Sequence, residues 1–229
     1  MATFTLPTGR PSTDWPVKPA VPIDGGRTER HRFTATLQRL TADELEQVRR
    51  DELDIGQLLQ EHVLGWHEMY VPDVESAWSP VEFDEADADG KRVTRRFQAR
   101  FQLLTASEIQ ALGADGDVGE LLRSHVLDWS EVYDDAGNAV PFSADALDQA
   151  LQSIPARGAL IQTLFDVSNG VGKHQINKAE RARSEPVTFS DEALDWALER
   201  MYLRNALFQA LLEVSSEGPR KNSRSSGRR

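Results

Sequence analysis

Arg32-Phe-Thr-Ala-Thr-Leu-Gln-Arg-Leu-Thr-Ala-Asp-Glu-Leu45 returns 64 residues later as Arg96-Phe-Gln-Ala-Arg-Phe-Gln-Leu-Leu-Thr-Ala-Ser-Glu-Ile109. After a one-residue slip the match continues, with Asp54-Ile-Gly-Gln-Leu-Leu-Gln-Glu-His-Val-Leu-Gly-Trp66 answered by Asp117-Val-Gly-Glu-Leu-Leu-Arg-Ser-His-Val-Leu-Asp-Trp129. A repeat of this length names the structural unit before any motif does. Each copy opens with strict alternation, Phe33, Ala35 and Leu37 in one and Phe97, Ala99, Phe101 and Leu103 in the other, which is the period of a half-buried strand. Upstream lie turn signals, Val21-Pro-Ile-Asp-Gly-Gly26 and Val81-Glu-Phe followed by Asp89-Gly90, so each strand is expected to close an antiparallel hairpin.

Each strand then runs into a capping box. Thr41 with Glu44, and Thr105 with Glu108, place a hydroxyl and a carboxylate three residues apart, so each satisfies an orphan N–H of a helix start. Leu40 with Leu45 and Leu104 with Ile109 add hydrophobic staples. Next come Leu58-Leu59 with Val63, Leu64 and Trp66, mirrored by Leu121-Leu122 with Val126, Leu127 and Trp129, apolar segments expected to close each unit with the tryptophan as core anchor. After Trp129 the copies diverge: a turn ends at Phe142-Ser143, which staples and caps a helix that the first copy is expected to lack.

From Pro155 onward the pattern is helical, with Leu160, Ile161, Leu164 and Phe165 as an apolar patch before Ser168-Asn-Gly-Val-Gly172 interrupts it. A last helix is capped by Ser190 and carries two stripes, Leu194, Leu198, Met201, Asn205, Phe208 and Leu212 on one face and Trp196, Leu203, Leu207 and Leu211 on another. Such a helix is either sandwiched in a core or used for self-association. The expected class is α+β, two repeated β-hairpin-plus-helix units followed by a helical C-terminal region. The expected segments are an extended N-terminus (1–16), a first unit (17–78), a second unit (79–167), a linker (168–189), the last helix (190–216) and a basic, disordered tail (217–229).

Composition limits the chemistry. There is no cysteine in 229 residues, which removes disulfides, thiol nucleophiles and thiolate zinc sites. No run approaches the roughly 20 apolar residues that span a bilayer, and the chain is expected to be cytoplasmic, away from membranes. Five of the 26 Lys and Arg fall in residues 219–229, leaving 21 against 37 acids on the body. An acidic body repels nucleic acid, so a nucleic-acid partner is not expected.

Of the five histidines, His31, His62, His67, His125 and His174, only His62 and His125 recur at equivalent repeat positions, which points to packing. Glu85-Ala-Asp-Ala-Asp-Gly90 imitates the start of a calcium loop, but the twelfth place is Arg96, and no bidentate ligand follows. Asn169-Gly-Val-Gly-Lys173 lacks the first glycine and the closing Ser/Thr of a phosphate loop. No catalytic, metal or cofactor constellation stands out, and the chain reads as a non-enzyme.

The span from Arg96 to about Phe165 resembles the tail assembly chaperones of long-tailed bacteriophages and prophages. The pattern is carried by Phe97, Ala99 and Phe101 on the strand, Leu104, Thr105 and Glu108 at the helix start, Leu121, Leu122, Val126 and Trp129 after it, and Gly137, Val140, Pro141, Phe142 and Ser143 at the next cap. The duplication and the helical extension depart from a single-unit pattern. The resemblance implies a non-enzymatic factor of the host cytoplasm, absent from the finished virion, that binds the tape measure protein, keeps it soluble and recruits tail tube protein. A homo-oligomer is compatible with it. Partner contact is expected at Trp196, Leu203, Leu207 and Leu211, as exposed positions of the last helix. Two other classes stay open: a structural virion component such as a tube or connector subunit, and a nucleic-acid adaptor using the basic tail.

Overall fold

A computed structural model describes residues 10–50, 52–86, 89–112, 117–134, 136–172, 174–176 and 186–216. The chain is α+β, with its described strands in three three-stranded sheets. The first hairpin is longer than the turn signals suggest. Its outgoing arm is β1 (Ser12–Val17) and β2 (Ala20–Ile23), its returning arm β3 (Arg27–Arg30) and β4 (Phe33–Gln38). Val17 pairs with Phe33 and Ala20 with Arg30, and the His31 N–H donates to Pro19 O at 3.1 Å, so one register runs the whole length. In the second unit β6 (Ser76–Ala86) pairs with β7 (Arg92–Gln102) in the same way, Val81 opposite Phe97. The repeat therefore starts at Ser12 and Ser76, with Pro16-Val17 answered by Pro80-Val81. The boundaries expected at 16/17 and 78/79 both fall inside strands.

Both capping boxes form. Thr41 starts α1 (Ala42–Arg49) with its hydroxyl accepting from the Glu44 N–H, and Thr105 does the same before α3 (Ala106–Leu112). The helices α2 (Ile55–His62) and α4 (Val118–His125) follow, capped by Asp54 and Asp117. Each passes directly into an edge strand, β5 (Val63–His67) or β8 (Val126–Ser130), giving matching sheet orders β1-β4-β5 and β6-β7-β8. Both sheets carry a register shift at the same place, between Thr36 and Leu37 and between Arg100 and Phe101. The shift leaves Leu64 and Leu127 as the unpaired extra residues of the edge strands, so Val63 and Trp66 are both buried while Leu64 is 49% exposed, and Val126 and Trp129 are both buried while Leu127 is 38% exposed.

The second unit ends in α5 (Ala144–Leu151) and α6 (Ile154–Ser168), and α6 packs on β6. The first unit does not lack these helices. Its equivalents are α7 (Asp191–Glu199) and α8 (Met201–Ser216), and α8 packs on β1, β2, β4 and α2. Val140-Pro-Phe-Ser-Ala-Asp-Ala-Leu-Asp-Gln-Ala-Leu151 and Val187-Thr-Phe-Ser-Asp-Glu-Ala-Leu-Asp-Trp-Ala-Leu198 are a second repeat, at an offset of 47. The second unit is thus inserted into the first. The single last helix expected over 190–216 is two helices, parted at Arg200, whose ψ of 109° matches the 113° of Ser153 between α5 and α6.

The tryptophans join the parts. Trp66 Nε1–H donates to Val187 O at 2.9 Å and meets the Phe189 ring edge-on at 4.8 Å, while Trp129 donates to Val140 O at 2.9 Å and meets Phe142 at 5.3 Å. Val187 and Phe189, expected within a linker, therefore belong to the core of the first unit. The start of that linker differs too, since Ser168 is the last residue of α6. β9 (His174–Ile176) pairs parallel to β3, and the rest of 177–185 and the tail 217–229 lie outside the described residues.

Two glycines seat one unit on the other. Gly26, at φ 67°, donates its N–H to Trp78 O at 3.0 Å and lies where a Cβ would be 2.5 Å from the Pro80 ring. Gly170, at φ 72°, ends α6 in a Schellman motif, its N–H on Val167 O and the Val171 N–H on Asp166 O, and a Cβ there would be 2.0 Å from Ala20 O.

Candidate functional site

The residues expected to meet a partner do not form an exposed patch. Leu203, Leu207 and Leu211 are each 0% exposed, because α8 lies on the first sheet and that stripe faces the core. Of the two alternatives for this helix, the structure takes the sandwich. Trp196 is half-buried on α7, with the Arg200 guanidinium 4.8 Å over its ring and its Nε1–H 3.4 Å from Asp73 Oδ2. Arg200 also clamps Asp73 through both carboxylate oxygens at 2.8 Å, so this corner fastens the segment leading into the second unit. Tyr202 completes it, donating to Pro72 O at 3.2 Å, and burial pushes its phenol up to about 12.

His62 and His125 are buried at equivalent sites, each with Nε2 facing the capping-box glutamate, 3.6 Å from Glu44 Oε1 and 3.4 Å from Glu108 Oε1. Nδ1 of His62 lies 3.0 Å from Gln38 O, and that of His125 3.0 Å from Leu121 O. Burial alone raises both glutamates, but hydrogen bonds from the capping threonine and the charge of the histidine outweigh it. Arg10 adds to this at Glu44, and both carboxyls sit below their ordinary value. The arrangement is a repeated packing device that locks the first helix of each unit onto the second.

Of the imitation calcium loop's acidic donors, Glu85 is engaged across the hairpin, Asp89 lies 3.9 Å from Lys91, and Asp87 is outside the described residues. Glu85 takes Arg95 at 2.7 Å, and Asp84 takes Arg92 and Thr94. Among the described residues no group of three or more His, Asp or Glu is placed to hold a metal, and no helix is long and apolar enough to cross a membrane.

The two units differ beneath their hairpins. Beneath the second hairpin lies a cleft of about 550 Å3 walled by Phe83, Phe97, Trp129 and Tyr133, with charged residues of both signs, Glu85, Arg95, Arg96, Glu131 and Asp134, also lining it. The first unit fills the same position. Leu203 stands where the cleft has Ala156, Arg200 where it has Ser153, and the fully buried Met69 where it has Val132. Tyr133 at the mouth is 62% exposed, a large aromatic side chain facing solvent beside an aromatic floor. An aromatic cleft also lined by both signs of charge suits an apolar peptide segment with polar flanks. Sequence reasoning passed over it because its walls are the alternating strand residues themselves, and it exists only where the small Ala156 and Ser153 stand in the places of Leu203 and Arg200.

Comparison with known protein families, with curated proteins and with solved structures finds no match to this chain.

Proposed function

We propose that this chain is a non-enzymatic tail assembly chaperone of a long-tailed phage or prophage. In this reading it binds the tape measure protein in the host cytoplasm, keeps it soluble, passes it to tail tube protein and leaves before the virion is complete. The observation that carries the reading is the residue pattern from Phe97 to Ser143. Its members are not scattered: Phe97, Trp129 and Phe142 stack edge-on in sequence, at 6.4 and 5.3 Å, and Ser143 caps α5. The acidic charge and the aromatic cleft of the second unit support a binding role. In this reading the contact surface is that cleft, with Tyr133 and Phe83 as its anchors, and not the Trp196, Leu203, Leu207 and Leu211 set of α7 and α8.

The test is co-expression with the long helical protein encoded downstream, scoring its soluble fraction and co-elution on size exclusion. Rescue by the wild type and loss of co-elution with Tyr133→Ala plus Phe83→Ala, both variants folded, is the expected result. No rescue and no co-elution by the wild type removes the reading.

A further inference from the structure

Inside the chain, α3 of the second unit lies against α7 of the first. Ala106 at its start is 6% exposed, and the Ser107 N–H and hydroxyl donate to the two carboxylate oxygens of Glu199 at 3.2 and 2.6 Å. Thr105 bridges to Arg200 at the break between α7 and α8. The first unit contributes Asp54, Gly56 and Arg204 to the walls of this junction.

Each half of the junction exists a second time. The repeat carries Asp54, Gly56 and Arg204 onto Asp117, Gly119 and Arg157, which wall an open cleft with Ile154 and Ile161. Ile154 is 74% exposed, the highest value among the exposed large apolar side chains described. The repeat also carries α3 onto α1, where Ala42 and Asp43 stand in the places of Ala106 and Ser107, and α1 has no buried residue. The polar chemistry is exchanged but still matched. Where the internal junction sets a serine donor against the Glu199 acceptor, the free surfaces offer an acceptor, Asp43, and a donor, Gln152. Exposed Arg157 lies beside the cleft to meet the acidic first turn of α1, while Asp117 is spent on the N–H groups of Gly119 and Glu120. Glu46, one turn further, is held by Arg49 and Arg50 on its own helix.

We propose that a second copy of this chain docks head to tail, the Ala42–Asp43 face of α1 in one copy entering the Ile154–Arg157 cleft of the next, as a repetition of the internal α3 junction. The two surfaces differ and sit in different units, so every added copy leaves one of each free. Such a heterologous contact extends into a row of copies or closes as a ring. The inference stands apart from the chaperone reading, since it needs no tape measure protein.

Sedimentation velocity of the full chain over a concentration series tests it. The wild type is expected to grow beyond a dimer as concentration rises. Ala42→Arg sets a long charge where the internal junction buries Ala106, Ile154→Glu charges the other surface, and each is expected to sediment as a 25.6 kDa monomer. Mixed in equal amounts, the first variant still has the cleft and the second still has α1, so the mixture forms a species of about twice that mass and nothing larger. Both positions are exposed, and melting curves check the folding. Should either variant misfold, Asp43→Arg and Arg157→Glu replace them. A wild type that stays monomeric, variants that assemble like the wild type, or a mixture that stays monomeric or passes the dimer each overturns the proposal.

Discussion

Glu68 and Glu131 follow the edge strands of the two units, and both hold the left-handed backbone, at φ 54° and 64°. That conformation costs an L-residue about 1–2 kcal/mol, partly offset by the extra chain entropy a glycine would bring to the unfolded state. Glu68→Gly and Glu131→Gly are each expected to raise stability by roughly 0.5–1 kcal/mol, read as a higher urea midpoint at unchanged slope. Gly170→Ala runs the other way, because the added Cβ meets Ala20 O at 2.0 Å and the backbone is left-handed. Its expected loss is about 2–3 kcal/mol or more in the same measurement. Individual residues were the hardest scale to read from sequence. Leu64 and Leu127 look like core in a row of apolar letters, and only the register shift in each edge strand puts them outside.

The capping boxes show an element whose local signals suffice, since Thr41, Glu44, Thr105 and Glu108 do in the fold what their spacing announces. Their carboxyls lie below the ordinary value, so this contribution is complete above the unfolded-state value and is lost as the pH falls through the lowered one. Glu44→Gln combined with Glu108→Gln is expected to flatten the acid side of a melting-temperature profile, and a slope as steep as the wild type's would refute it. The last helix shows the opposite case. Between α5 and α6 the break is marked by Pro155, whereas between α7 and α8 the same backbone turn is made by Arg200 with Tyr202 in the proline's place, and the apolar spacing runs on undisturbed. Read as one helix, it has too many apolar faces, and read as two, every face finds a neighbour. Leu160 and Leu207 occupy the same depth in the two units, each 0% exposed, so Leu160→Ala and Leu207→Ala are each expected to cost about 2–5 kcal/mol by chemical denaturation.

At the scale of the whole molecule the fold class was legible and the connectivity was not. A comparison at one offset finds the hairpins and first helices, then reports divergence after Trp129, because the insertion reverses the order of the remaining halves: the first unit's copy no longer lies 63 residues ahead of its counterpart but 47 residues behind it. The interleaving carries its own prediction. A chain lacking 187–216 leaves Val17, Phe33 and Trp66 without their cover, so hydrogen exchange is expected to lose protection over 12–67 while 76–168 keeps it. Equal loss over both would mean that the inserted unit depends on its host.

The same nesting gives synthesis an order. When the first hairpin leaves the ribosome its closing helices do not yet exist, and the whole of the inserted unit is made before α7 appears. Through that interval the nascent chain carries an open apolar sheet beside a unit that already has all its parts, and only the arrival of Val187, Phe189 and α8 shuts it. The first part of the molecule to be born is therefore the last to close, and its exposure to aggregation is set by the time needed to translate the second.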